Sequence, residues 1–494
     1  MVTRFGIPRR DTPLLIENHV SLSPSDAPSR GYRAILNVTT RFLGRDVTQG
    51  LVGAIVLQVV GAVVSFAMFL LAARALSFVD FGHLSMWLSV CQMGGIAAVL
   101  GQEMFILRAL NQYTVAGRPD LAKGSLVFSL SIVCTVPIAF ALVMSVCGML
   151  LFGEKQSLMM ATGLFLVASS LIAVSSHIAR FSVGMVLADG MRELVWRALV
   201  VAVLLAIVGA GGMIQIDQFF LLASAAIGIA LLIQAIAIWR ALPKRIRRAK
   251  PSWRVREWSR VSAGFWASTI LETINQYLDV VIVYWLLDPA SAGAYFIASR
   301  LANMFATVLS AVHNYATRRI PALYFSGRLD ELNHILRLMA EVVLLCIFAG
   351  ILVIGFGAET ILGAFGPAFV AQKWTLIILT MGTVIYAAGG PAAAVLMIAG
   401  HGGRYPWVVA ANMILRFAGF AVLIPLFGLH GAAVSAALSL AVVTVALNYL
   451  CRRWVKIDPS ILLLFYRSRN ENVTVGLPSP TVQAAAPARN GALV

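Results

Sequence analysis

The sequence predicts an all-α polytopic membrane protein with about twelve transmembrane helices arranged as two six-helix bundles. Hydrophobic residues make up 60% of its 494 residues, and charged residues make up only 12%. A soluble globular domain has about 45–50% apolar and about 25% charged residues, so no water-soluble core could hide this much apolar surface. About twelve spans of about 20 residues each, with their connections, account for most of the chain. Most of the chain is therefore expected to lie in lipid.

Twelve apolar stretches, each long enough to cross a bilayer, are separated by polar connections. We predict spans at residues 50–73, 82–106, 125–151, 157–179, 187–210, 217–239, 262–287, 293–316, 338–358, 374–399, 407–427 and 431–450. The fifth stretch differs from the others because charged residues crowd its start, namely Asp189, Arg192, Glu193 and Arg197. An interfacial segment is the alternative interpretation of that stretch.

The longest polar interruption, residues 240–260, predicts the orientation of the chain. Its charged residues are nearly all basic, with Glu257 as the single acid. Basic connections stay on the cytoplasmic side, so both termini are predicted to be cytoplasmic and the protein to lie in the inner membrane. The predicted divisions are a basic arm, a first bundle, a basic linker, a second bundle and a largely disordered tail, at residues 1–48, 49–239, 240–260, 261–455 and 456–494.

The two predicted bundles share a short sequence similarity at corresponding positions. The segment 75–82 leads into the second span and the segment 286–293 leads into the eighth, and both place Leu six residues before Gly. Six spans per half is an even number, so duplicated halves would have the same orientation and would be related by an axis along the membrane normal. Two such bundles side by side leave a cleft, which is the architecture of alternating access.

Sequence signals of soluble enzymes are absent. The chain has no Walker A loop, no Gly-x-Ser-x-Gly elbow, no Cys-x-x-Cys pair and no His-Glu-x-x-His motif. No connection between spans is long enough to form a catalytic domain. We therefore expect a protein that is not an enzyme, with no catalytic residues, no cofactor and no metal site. Its basic charge is expected to contact membrane lipids, and no nucleic acid partner is expected.

Polar side chains inside two neighbouring spans predict a hydrated path. The seventh span carries Glu272, Asn275 and Asp279 at helical spacing, which places them on one face. The eighth span carries a similar stripe, made of Arg300, Asn303, Thr307, Ser310 and Asn314. Charged side chains cost about 2.5–3.5 kcal/mol at the bilayer centre, so they usually face a bundle interior or a wet cavity.

The charged residues of these stripes have two interpretations. Asp279 and Arg300 lie at similar depth, about 10–12 Å from the connection between their spans, so they could form an ion pair. In one interpretation this pair only holds two helices together. In the other, Arg300 binds an anionic group, for which its planar guanidinium is suited, while Asp279 competes or exchanges protons.

Two further charged residues are candidates because they lack a partner of opposite charge in their own helix. Glu272 lies near the midplane and is a candidate for coupling, although a structural hydrogen bond to a neighbouring helix explains it equally well. Arg416 lies roughly 14 Å into the eleventh span and is predicted to line the cavity.

Three motifs in the second half resemble the polysaccharide exporters of the multidrug/oligosaccharidyl-lipid/polysaccharide (MOP) superfamily, particularly its Wzx-type flippases of lipid-linked oligosaccharides. They are residues 276–279 with 293–301, residues 399–404, and the Pro-x-x-Gly-x-x-Gly-Ala-Ala stretch 425–433. The resemblance covers roughly residues 45–455. It implies a MOP/MATE-like fold with a cationic central cavity, in which an arginine of an Ala-x-Arg-Leu setting contacts pyrophosphate. Arg300 matches that position.

The resemblance implies a flippase that moves undecaprenyl-pyrophosphate-linked oligosaccharide across the inner membrane for O-antigen, capsule or exopolysaccharide synthesis. Pyrophosphate and cavity contacts are assigned to Arg300, Arg416, Asn275 and Asn303, and coupling or ion pairing to Glu272 and Asp279. The partners it implies are the lipid-linked substrate and a polysaccharide polymerase with its co-polymerase. The alternatives are a cation-coupled multidrug exporter, a membrane polymerase or ligase, and a non-transporting scaffold. The related lipid II flippases carry basic residues in their first helices, whereas the first span here has none before Arg74, which argues against lipid II as the substrate.

Overall fold

A computed structural model describes residues 45–304, 329–397, 405–455 and 457–464. The predicted arm up to residue 44, the far part of the eighth span, the motif at 399–404 and the tail from 465 lie outside these residues. The chain divides into two compact units, Met1–Gly53 and Ala54–Val494. The first unit is described only as helical backbone, and every contact reported below lies within the second.

Helices make up the regular secondary structure of the described residues. We number them α1 to α16: Arg45–Ala75, Phe78–Val99, Gln102–Val115, Pro119–Phe152, Gln156–Ser182, Met185–Gly190, Trp196–Gly209, Ile216–Ala241, Lys244–Arg248, Val255–Leu286, 289–304, Leu329–Phe365, Pro367–Val370, Lys373–Ala388, Ala392–Leu396 and Tyr405–Leu450. Short π-helical turns occupy Met191–Val195 and Cys451–Val455, and a 3₁₀ turn occupies Ile461–Leu464.

Eight helical segments of the described chain are long and apolar enough to cross a membrane. Their outward surfaces are strongly apolar. On α4, for example, Leu142, Val143, Leu150 and Leu151 are each more than 60% exposed. Side chains of this kind on consecutive turns require a hydrocarbon solvent. The chain is a multi-pass membrane protein.

The predicted fifth span is built from three consecutive pieces, α6, the π-helical turn Met191–Val195 and α7. The charged residues that crowd this stretch explain the break. Arg180 pairs with Asp189 at 2.7 Å, and Arg197 pairs with Glu193 at 2.7 Å. Glu193 lies within the π-helical turn, and its partner Arg197, in the first turn of α7, is half-buried.

The last two predicted spans form one helical hairpin, broken within α16. Gly428 has non-helical dihedral angles, φ 58° and ψ −136°, which favour glycine. Gly431 then packs so closely on the preceding helix that a Cβ atom there would lie 2.0 Å from the carbonyl oxygen of Leu423. Farther along the hairpin, Ser435 Oγ donates a hydrogen bond to the Arg416 carbonyl at 2.9 Å. The glycines of the 425–433 motif therefore make the turn and the close contact.

Replacing Gly431 by Ala is expected to lower the free energy of unfolding by about 1–3 kcal/mol, because the new methyl group overlaps backbone that cannot rotate away. Gly228→Ala in α8 is the matched control, because a Cβ atom there meets nothing within 4 Å among the described residues. Helix propensity favours Ala over Gly by about 1 kcal/mol, so the control should be neutral or stabilising. Thermal unfolding of the purified proteins in detergent checks this. Equal midpoints for the two variants would contradict the prediction.

The connections between helices gather at two ends. At the basic end, the segment 242–258 packs on the connection between α3 and α4. Lys123 Nζ donates to the Arg247 carbonyl at 3.3 Å, and the Ser252 amide donates to the Asp120 carbonyl at 3.1 Å. Trp258 is 1% exposed and donates from Nε1 to the Tyr113 hydroxyl at 2.8 Å. The basic linker is therefore packed against the first half of the chain over much of its length.

At the opposite end, three other connections meet: α1 to α2, α10 to α11, and α12 to α14. Phe66 and Phe365 stack edge to face with their ring centroids 5.2 Å apart, and Phe78 does the same with Phe369 at 4.8 Å. Arg74 Nε donates a hydrogen bond to the Ala364 carbonyl at 2.7 Å. The first and second halves of the chain are thus in direct contact at this end.

Candidate functional site

Two glycines bring the halves of the chain into close contact. A Cβ atom at Gly82 would lie 1.8 Å from the carbonyl oxygen of Pro289, and one at Gly293 would lie 3.0 Å from the Cα atom of Gly82. Gly82 and Gly293 are also the equivalent glycines of the proposed sequence repeat. Contact between equivalent residues is the arrangement expected beside a two-fold axis.

A cavity of about 240 Å³, here called cavity 1, is lined by residues from both halves of the chain. The gap-free alignment that pairs the two glycines also pairs Ser65 with Gln276 and Gln92 with Asn303. All four residues line cavity 1. Equivalent polar residues therefore face a shared space between α1, α2, α10 and α11.

Arg300 is a basic group of cavity 1 held by aromatic side chains. Its guanidinium carbon lies 4.9 Å from the ring centroid of Tyr277 and 5.0 Å from that of Phe296. Cation–π contacts of this kind hold the side chain in place without neutralising its charge. No carboxylate of the described residues forms an ion pair with Arg300, so its charge is available to a ligand.

Arg197 lines the same cavity from the first half. It stacks on Trp196 at 4.9 Å and pairs with Glu193 at 2.7 Å. Arg192, which lies 3.5 Å from Glu193 and 3.9 Å from Glu103, continues this row of charges toward the basic end. From the sequence, Arg197 could bind anionic headgroups at the cytoplasmic mouth, although the positive-inside rule alone accounts for an arginine beside a basic loop.

A second cavity of about 380 Å³, here called cavity 2, lies beside the first and contains a buried ion pair. Arg416 Nη2 donates to Asp279 Oδ2, and the Tyr295 hydroxyl donates to the same oxygen at 3.1 Å. Arg416 Nη1 also donates to Asn275 Oδ1 at 3.4 Å. Asp279 is 5% exposed and Arg416 is 9% exposed. These contacts join the middle of α10 to α11 and α16.

The structure assembles most of the predicted site residues but pairs two of them differently. Arg416, Asn275 and Asp279 line cavity 2, Arg300 lines cavity 1, and Asn303 lines both. The ion pair predicted between Arg300 and Asp279 is wrong, because Asp279 pairs with Arg416. As the sequence indicated, Arg416 has no acidic partner in its own helix. Its partner, Asp279, lies in α10.

Glu272 does not join the other candidates. Its side chain is exposed, and it is absent from the lining of both cavities, as far as the chain is described. Its predicted coupling role stays a prediction. The described residues also contain no group of three or more His, Cys, Asp or Glu side chains that could hold a metal ion.

Comparisons with known proteins identify the fold. No protein-family model matches the chain, and no curated protein sequence matches it. A multidrug resistance MATE family transporter of the MOP superfamily, in its inward-facing conformation, superposes with a TM-score of 0.67 at 15% identity, covering 80% of this chain and 95% of that chain. An outward-facing conformation of such a transporter gives 0.60 at 14% identity, covering 83% and 95%. MATE in complex with MaL6 gives 0.56 at 14%, covering 82% and 96%.

The chain therefore has the all-α fold of MATE transporters in the MOP superfamily. This confirms the predicted fold class of twelve helices in two six-helix bundles. Sequence identity at this level establishes the fold only. The residues of the two cavities must supply the argument for a function.

Proposed function

We propose that the chain is a transporter that works by alternating access and flips undecaprenyl-pyrophosphate-linked oligosaccharide across the inner membrane. Both termini would lie in the cytoplasm, so the basic end would face the cytoplasm. The product would feed the synthesis of O-antigen, capsule or exopolysaccharide. A polysaccharide polymerase and its co-polymerase are the candidate partners. The chain's role is transport rather than catalysis.

The observation that carries this proposal is that Arg300, in a cavity shared by both halves, has no carboxylate partner among the described residues. Arginine binds phosphate through parallel hydrogen bonds, and it does so strongly where water is scarce. Arg197 adds a second guanidinium from the other half, partly neutralised by Glu193. Two phosphates of a diphosphate could contact both arginines and so bridge the two halves.

The same geometry lets the chain hold one part of the substrate while another stays in lipid. Cavity 1 would bind the diphosphate on Arg300 and Arg197, and the polyprenyl tail would remain among the outward apolar surfaces of the helices. The contacts at Gly82 and Phe78 close the opposite end in this conformation. Release to the other side would require those contacts to separate while the basic end closes.

A multidrug exporter is the alternative that the names of the similar structures favour, since two of them are multidrug resistance transporters. A site for cationic drugs needs accessible acidic side chains. The described lining of cavity 1 contains two arginines and no acid, and the acid of cavity 2, Asp279, is paired with Arg416. These charges favour an anionic substrate over a cationic one.

Lipid analysis of a strain that lacks the protein tests the proposal. Surface polysaccharide should be lost, and complete undecaprenyl-linked repeat units should accumulate on the cytoplasmic side. The wild-type gene should restore the polysaccharide, whereas Arg300→Ala should reduce it about tenfold or more, the scale of a lost charge-assisted contact. Arg256→Ala, which changes an exposed arginine of the basic linker, is the matched control and should restore the wild-type level.

Normal polysaccharide and normal lipid pools in the deletion strain, together with new sensitivity to cationic drugs, would reject the flippase and support the exporter. Accumulation of single repeat units on the outer side would instead indicate a failed polymerase step. If Arg300→Ala restored surface polysaccharide fully, Arg300 would have no role in transport.

A further inference from the structure

Cavity 2 adjoins the proposed diphosphate site. Gln276 on α10 and Asn303 on α11 line both cavities, so the two spaces share these side chains as part of the wall between them. In a sugar–diphosphate lipid, the first sugar is bonded directly to a phosphate. Whatever binds in cavity 2 would therefore be the group attached to a diphosphate held in cavity 1.

The charge of cavity 2 differs from that of cavity 1. Arg416 is neutralised by Asp279, so the described lining of cavity 2 carries no net charge, whereas Arg300 in cavity 1 has no such partner among the described residues. The rest of the described polar lining consists of neutral groups that donate or accept hydrogen bonds, namely Gln58, Asn275, Gln276, Tyr295, Ser299, Asn303 and Thr383. This composition fits an uncharged polar ligand better than a second phosphate.

Two atoms of the ion pair lack hydrogen-bond partners. Asp279 Oδ1 is a buried acceptor and Arg416 Nε is a buried donor, and neither forms a hydrogen bond within the part of the chain that the structure describes. Unsatisfied buried polar atoms are costly, so they are usually explained by an occupant. A metal cation would satisfy only the carboxylate, and an anion would satisfy only the guanidinium.

A hydroxyl group satisfies both atoms at once, because it donates to a carboxylate and accepts from a guanidinium. A water molecule can also donate to the carboxylate and accept from the guanidinium, but it takes up only about 30 Å³, its share of the volume of liquid water. Cavity 2, at about 380 Å³, is within the usual range of small-molecule sites, about 300–1,000 Å³. A ligand with several hydroxyl groups would use the neutral side chains of the lining as well.

We infer that cavity 2 is a carbohydrate subsite, in which the Asp279–Arg416 pair binds hydroxyl groups of the sugar nearest the diphosphate. The inference rests on the proposed flippase function and assigns a different task to each cavity. Cavity 1 holds the charge that every diphosphate lipid carries. Cavity 2 distinguishes a glycan-bearing lipid from one without sugar, and so prevents transport of the bare carrier.

Binding to the full-length protein in lipid nanodiscs tests the subsite with two probes. One is undecaprenyl diphosphate, and the other is the pool of undecaprenyl-diphosphate-linked repeat units extracted from the deletion strain. Single changes of Asp279 or Arg416 could prevent folding, so the pair is removed jointly in Asp279→Leu/Arg416→Met. Asn275→Ala and Thr383→Val are milder variants that leave the ion pair in place.

Wild-type protein should bind the glycan-bearing lipid more tightly than undecaprenyl diphosphate. The double variant should lower this preference about tenfold or more, the scale of hydrogen bonds to charged groups, while its affinity for undecaprenyl diphosphate stays the same. Asn275→Ala and Thr383→Val should lower it by smaller factors. Arg300→Ala should weaken binding of both probes by a similar factor, because both carry the diphosphate.

An unchanged preference in a folded double variant, or in both milder variants if the double variant fails to fold, would overturn the subsite while leaving the flippase intact. A double variant with unchanged preference but altered dependence of transport on protons or sodium would overturn it in favour of a coupling role. Failure of wild-type protein to bind either probe better than phosphatidylglycerol would instead reject the proposed function, and the subsite with it.

Discussion

Replacing Arg416 alone by Met is expected to destabilise the protein by about 3–5 kcal/mol, the scale for breaking a buried ion pair. The change would leave Asp279, which is 5% exposed, with the Tyr295 hydroxyl as its described hydrogen-bond donor. Asp279→Leu should have an effect of similar size, because it leaves the Arg416 guanidinium buried among α10, α11 and α16. Thermal unfolding in detergent and the yield of folded protein are the measurements.

The double variant Asp279→Leu/Arg416→Met separates charge burial from other causes. Apolar residues of similar volume remove both charges together, and such replacements are often neutral or stabilising. The double variant should therefore recover most of the stability lost in either single variant. Additive losses in the double variant would show that the pair matters for packing rather than for mutual neutralisation.

Replacing Gly82 by Ala is expected to abolish transport while the protein stays folded. The added methyl group would lie 1.8 Å from the Pro289 carbonyl, so α2 and α11 could not approach as they do here. Each half could keep its own packing, but the opposite end could not close. Cavity 1 should then be open at that end for a larger fraction of the time.

Thiol labelling measures this opening directly. Ser65→Cys, introduced after replacement of the five native cysteines, places a reporter in cavity 1. A thiol reagent that cannot cross the membrane is added on the side away from the basic end. It should label the cysteine at position 65 faster in Gly82→Ala than in the parent. Gly355→Ala is the matched control, since a Cβ atom there meets nothing within 4 Å among the described residues. Equal labelling rates in all three proteins would refute the prediction.

The sequence predicted the helices well, because a membrane imposes length and hydropathy on each span separately. The last two spans were predicted with a break between residues 427 and 431, and the structure turns the chain there, at Gly428. The broken start of the fifth span was indicated by its charges. These features depend on local sequence, so they can be inferred without knowledge of packing.

Pairing between helices could not be predicted in the same way. Residue spacing fixes the depth of a side chain and its face, but it does not fix which helix lies opposite that face. Asp279 and Arg300 match in depth, yet α16 brings Arg416 to Asp279 from a distant part of the sequence. Arg197 stood out in the sequence only as one of the charges at the start of the fifth span, and residue spacing does not reveal that it lines cavity 1.

The two sets of contacts along α10 have a mechanical consequence. Near the basic end, α10 is fastened to the first half, where Gln102 Nε2 donates to Ser262 Oγ at 2.7 Å and Trp266 Nε1 donates to the Ala97 carbonyl at 3.0 Å. About three and a half turns beyond Trp266, Asp279 joins α10 to Arg416 of α16 in the second half. Beyond Asp279, the Tyr284 hydroxyl lies 2.8 Å from His83 Nδ1, so the far end of α10 contacts the first half again. Movement of one half against the other must therefore bend α10 between these contacts or break some of them.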